Sequence, residues 1–144
     1  MSVEKSKRKQ SSIEYDNTLF VIHNDAVNLI TCNLGVDERK KTLYSGYIKC
    51  ISKQIMDCIF EITKNVKIAN SIYPKYQSEL ETRRIHQDKA IGLCFDLLIM
   101  YQLALQTLGV KDDKHTEEIK HIIHEINCLK NWRKSDGQRF KNLG

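Results

Sequence analysis

The sequence holds one proline and six glycines in 144 residues, so it has little of the chemistry that turns a chain back on itself. An all-β sandwich or barrel needs a turn signal every few residues, and this scarcity argues for long helices instead. The five cysteines, Cys32, Cys50, Cys58, Cys94 and Cys128, include no C-x-x-C pair and fall mostly among apolar residues at helical spacing. A disulfide framework or zinc site would show clustering, so buried free thiols in a reducing compartment are expected. The opening MSVEKSKRKQSS lacks the apolar stretch of a signal peptide, and no run reads as long enough to span a membrane. A cytoplasmic chain with no membrane partner is expected. Also missing are G-x-G-x-x-G, the P-loop, G-x-S-x-G and H-E-x-x-H. Glu118-x-x-His121 matches the Glu-x-x-His pattern of di-iron bundles, but the second copy and two further inward glutamates are not found. No enzyme activity, catalytic residue, metal or cofactor is therefore expected.

What is present fits one soluble domain, with 41% hydrophobic and 28% charged residues. The net charge of +5 gathers at the two ends of the chain. Lys5, Lys7, Arg8 and Lys9 stand against Glu4 at the start, and Lys130, Arg133, Lys134, Arg139 and Lys141 against Asp136 at the close. Basic ends around a slightly acidic middle are the pattern of polyanion-binding arms, and equally of solvated tails.

Apolar residues repeat every three to four positions. Leu19, Ile22, Ala26 and Leu29 or Ile30 define a first helix, closed by Gly35. Tyr44, Ile48, Ile51, Ile55, Cys58 or Ile59, Ile62 and Val66 form the clearest seam, with the heptad-like steps of a bundle. Leu80, Gln87, Ile91, Cys94, Leu98, Tyr101, Leu105 and Leu108 define a third helix opening at Pro74 and ending at Gly109. Ile119, Ile122 or Ile123, Ile126, Leu129 and Trp132 define a fourth, capped by Thr116 and unravelling near Ser135-Asp136-Gly137. The expected fold is all-α: an antiparallel up-down-up-down four-helix bundle, with helices near 12–34, 38–69, 74–109 and 115–135. Its organisation is a basic disordered arm over 1–11, the bundle over 12–135 and a basic tail over 136–144.

Two constellations rise above this pattern. Glu79 to Lys89 is a polar run in which Arg84 and Gln87 occupy places that the periodicity assigns to apolar residues. Such a layer either fixes bundle register or lines a surface for another molecule. The second is Leu129-Lys130-Asn131-Trp132-Arg133-Lys134, where the sole tryptophan sits within a basic cluster. Trp132 either stacks on a base or plugs the end of the core.

Tyr15-Asp16 at the opening of helix 1, the long Ile48–Val66 helix, and the ending Glu125-Ile126-Asn127-Cys128-Leu129-Lys130-Asn131-Trp132-Arg133-Lys134-Ser135 together carry a resemblance. From Tyr15 to Asp136 the chain resembles the four-helix-bundle family of accessory variability determinant (Avd) proteins of diversity-generating retroelements, with the related proteins encoded in ribosomal-RNA intervening sequences. The family's frequent F-P-x-x-x-R turn between helices 1 and 2 is replaced here by Asn33–Arg39. The resemblance implies a non-catalytic homo-oligomer, a pentameric ring, that binds structured RNA and a reverse transcriptase and supports template use. On that resemblance Arg83, Arg84, Lys130, Arg133 and Lys134 are the expected nucleic-acid face; Trp132, and the basic arm Lys5, Lys7, Arg8 and Lys9, which has no counterpart in the family, join them on their own residue chemistry. The alternative is a structural or regulatory interaction protein of a mobile element or phage with no nucleic-acid role.

Overall fold

The computed structural model describes residues 5–143, with side chains from Glu14 onward except those of Asp112 and Lys114. Among these residues there are helices and turns and no strand. Helix α1 spans Lys5–Thr31, α2 Glu38–Leu43, α3 Ser45–Ser71, α4 Gln77–Thr107 and α5 Thr116–Arg139. The four long helices close a ring of contacts, α1 on α3, α3 on α4, α4 on α5 and α5 on α1. Cross-links run start to end in each pair. Tyr15 donates to Asn70 (2.9 Å), His86 lies 2.8 Å from Asn65, Arg133 reaches Asp88 (2.5 Å) and His121 reaches Asp25 (2.7 Å). The fold is the expected antiparallel four-helix bundle.

Several boundaries differ from the sequence reading, each for a local reason. Helix α1 begins at Lys5 rather than near residue 12, so residues 5–11 of the supposed disordered arm are helical. The side chains of Lys5, Lys7, Arg8 and Lys9, and all of residues 1–4, lie outside the described residues. The expected second helix is broken at Tyr44 (φ −106°, ψ 23°), just before the weak helix formers Ser45 and Gly46. Ahead of it, Asp37 caps the one-and-a-half-turn α2 by accepting the Lys40 N–H at 2.9 Å. Pro74 precedes α4 instead of opening it. There the Glu79 carboxylate takes the N–H groups of Lys75 and Tyr76, at 3.0 and 3.1 Å. Helix α5 starts at Thr116 and runs through Ser135-Asp136-Gly137 to Arg139, so the expected tail is helical over its first four residues.

The core holds Ile51, Ile55, Ile59, Ile62, Cys94, Ile122, Ile126 and Leu129, as expected. On α4 the buried stripe runs Leu80, Arg83, Gln87, Ala90, Cys94, Leu97, Tyr101 and Ala104, in alternating steps of three and four. Ile91 and Leu98, expected inside, sit half-buried one position away. Of the five cysteines only Cys58 and Cys94 are buried; Cys32 and Cys50 are exposed and Cys128 is half-buried. Burial, first, and then Asp96 push the Cys58 thiol up to about 11, far from a reactive thiolate. The reading that no run is long enough for a membrane span also changes. By length and composition α4 would suffice, and only a third of that apolar stretch is buried. Its outer face presents Ile85, Phe95, Ile99 and Leu103 to solvent.

One carboxyl stands alone in this core. Glu125 is fully buried, and neither oxygen has a hydrogen-bond partner. Desolvation, with Asp16 adding to it, raises its pKa from 4.5 to about 9. The folded protein thus keeps a proton that the unfolded chain releases from pH 4.5 upward. Stability falls as pH rises through that window, by up to about 1.4 kcal/mol per unit, and levels off above the folded-state value. Glu125→Leu should remove this slope and add roughly 2–3 kcal/mol at neutral pH. Denaturant unfolding across the window checks it; an unchanged slope would show that Glu125 is not the titrating group.

Candidate nucleic-acid interface

Because α1 and α5 are antiparallel neighbours, the start of α1 and the end of α5 reach the same end of the bundle, with the loop joining α3 to α4 beside them. A buried ionic knot organises that end. Arg83 donates from Nε to Asp136 (2.6 Å) and from Nη2 to the other carboxylate oxygen (3.1 Å), and Gln87 Nε2 donates to the same group at 2.7 Å. The remaining guanidinium nitrogen donates to the carbonyls of Ala69 (3.3 Å) and Ile72 (2.8 Å), where α3 ends and its own N–H donors have run out. The guanidinium also lies over the Trp132 ring, 5.0 Å from its centroid, and Tyr15 stacks beside that ring at 4.4 Å. All four long helices meet in this knot.

The expected site residues therefore separate. Arg83 and Trp132 are only 5% and 7% exposed and fully engaged inside, so both are corrected from contact surface to core. Arg84 is half-buried, its Nε without a partner. Arg133 forks onto Asp88 at 2.5 and 3.3 Å. The Lys130 ammonium sits 5.2 Å from the Phe95 ring while the residue stays exposed, and Lys134 is exposed as well. Glu118 and His121 are not brought together: Glu118 bonds His115, and His121 faces Asp25 on α1.

The structure adds residues that the sequence reading passed over. In the loop Tyr73-Pro74-Lys75-Tyr76, both tyrosines are more than 60% exposed, and Lys75 stands between them. Arg139 at the end of α5 lies over Tyr73, 5.6 Å from the ring centroid, and Phe140 meets the same tyrosine edge-on at 5.7 Å. Exposed Lys141 follows. Solvated aromatic faces interleaved with cations form a platform on which unpaired bases stack while phosphates are neutralised. The signal lay in Y-P-K-Y itself, masked because it reads as a helix-breaking turn. At the opposite end the loops mix Asp37, Glu38 and Asp113 with Arg39, Lys40, Lys41 and Lys111, a near balance of charge.

A helical bundle with one cationic, tyrosine-bearing end is the class that fold and site define. Compared with protein-family models, curated proteins and solved structures, the chain matches none.

Removing one partner of the buried knot leaves the other charged and unpaired. Arg83→Met should cost about 3–5 kcal/mol of stability, and Trp132→Ala a similar amount through the cavity between Tyr15 and Arg83. Thermal or denaturant unfolding measures both. A Trp132→Ala protein of wild-type stability would return Trp132 to the surface.

Proposed function

We propose that this chain is a non-catalytic RNA-binding bundle that serves a reverse transcriptase as an accessory in a retroelement or related system. The observation that carries the RNA part is the gathering of Tyr73, Tyr76, Lys75, Lys134, Arg139 and Lys141 at the end of the bundle where basic segment 5–9 also starts α1. The resemblance to Avd proteins supplies the polymerase partner and the ring. The apolar outer face of α4 supports self-association, since Ile85, Phe95, Ile99 and Leu103 are left exposed by the single chain. That same face favours the second reading, a structural subunit that binds protein only.

RNA affinity should fall steeply with salt, as each neutralised phosphate releases condensed counterions. Neutralising Lys134 and Lys141 together should flatten the log–log slope by about 0.7 per lost contact on single strands. Tyr76→Ala should weaken binding by about 1–3 kcal/mol with thermal unfolding unchanged, because its ring stacks on a base rather than on the core. Affinity indifferent to salt and to all three substitutions leaves the protein-only scaffold standing. Light scattering reports the oligomer: Ile99→Glu with Leu103→Glu should reduce it to the monomer, and an unaltered mass would place the contact elsewhere.

A further inference from the structure

Next to the ionic knot but on the outer seam between α1 and α5, three unlike donors converge. His124 and Cys128 stand one turn apart on α5 and so share a face, and Glu14 faces them from α1. A single atom, His124 Nε2, lies 3.5 Å from a Glu14 carboxylate oxygen and 3.5 Å from the Cys128 sulfur. The three donor atoms all fall within 4.8 Å of one another.

The Cys128–His124 distance is that of a sulfur hydrogen bond, whereas the Glu14–His124 one is longer than a hydrogen bond, and both match the edges of a metal's ligand set. An N–H···O bond closes to about 2.7–3.2 Å, and the His124–Glu14 contact stays wider. Metal–ligand bonds of about 2.0 Å to nitrogen and oxygen and 2.3 Å to sulfur, at tetrahedral angles, put nitrogen about 3.3 Å from oxygen and 3.5 Å from sulfur. Two of the three edges already have nearly those lengths. A mixed imidazole, thiolate and carboxylate set disfavours the hard ions calcium and magnesium and suits a borderline one. Glu14 and His124 are exposed and Cys128 is half-buried, so an ion can enter from solvent and keep water as a fourth ligand. On the α1 side the Thr18 hydroxyl donates to the Glu14 carbonyl at 2.9 Å, one turn from the Glu14 ligand.

We infer that Glu14, His124 and Cys128 bind one divalent transition-metal ion, zinc by preference, which clamps the third turn of α1 to α5. The site stands independently of RNA binding. Its mechanical effect would be to pin the helix turn that leads back to basic segment 5–9.

The test uses the full chain, freed of metal by chelation and titrated with Co(II), then with Zn(II) in competition. The wild type should take up a single Co(II) with a thiolate-to-cobalt charge-transfer band and the strong visible absorption of a tetrahedral ion, and zinc should displace it. Cys128→Ser should lose the charge-transfer band. His124→Ala and Glu14→Gln should each lower zinc affinity at least about tenfold. Zinc should raise the unfolding temperature of the wild type and leave that of Cys128→Ser unmoved. Glu14 and His124 are exposed and Cys128 is half-buried, and helical circular dichroism verifies that each variant folds. The paired substitution Cys32→Ser with Cys50→Ser should change nothing. Wild-type affinity in Cys128→Ser, or a charge-transfer band that survives there and vanishes in the Cys32/Cys50 variant, would overturn the site.

Discussion

The bidentate pair between Arg83 and Asp136 is the constraint on which the rest of this bundle depends. Two full charges are enclosed where water does not reach, a costly arrangement unless every donor and lone pair is answered. Nearly all are: Arg83 spends its nitrogens on one carboxylate and two helix-end carbonyls, and Asp136 takes Gln87 as well. The pair therefore fixes where α3 stops, the face by which α4 enters, and how far α5 must continue. It also sets Trp132 between a guanidinium and Tyr15, which turns a surface-looking tryptophan into an end-plug. The aromatic faces left in solvent at that end are those of the α3–α4 loop.

The polar groups inside the bundle follow two opposite strategies. At the end, opposite charges are paired. In the middle, Glu125 has no partner and stays protonated, alongside the thiols of Cys58 and Cys94, which burial likewise holds neutral. Chemistry that needs a reactive thiolate or a free carboxylate is suppressed there.

The helices were legible because their seams are. Ile48 to Val66 could be read as the inner face of α3 position by position. Helix α4 was harder, since Ile91 and Leu98 are as apolar as their neighbours Ala90 and Leu97; a helix apolar nearly all round does not announce its register. The small Ala90 looks like filler in a sequence but is fully buried in the structure. Arg83 was legible only as surface, because a lone arginine is read as solvated until its partner is known. That partner sits inside Ser-Asp-Gly, residues that ordinarily announce a helix end. Long-range pairing overrode local propensity at that point, and the same blindness hid the meeting of Glu14 with His124 and Cys128 on another helix.

At the opposite end of the bundle an ammonium ties the short α2 to the end of α4. Lys40, on the short α2, donates to the carbonyl of Leu108 at 2.8 Å, closing the C-terminus of α4. Gly109 follows in the left-handed region (φ +66°), and a Cβ there would come within 3.1 Å of the Lys40 nitrogen. The consequence is one of chemical reactivity. An amine engaged as a helix cap offers its lone pair to electrophiles reluctantly, so acylating reagents should modify an exposed lysine such as Lys49 well before Lys40. Once Lys40 does react, it loses its charge, and the two loops at this end lose their tie.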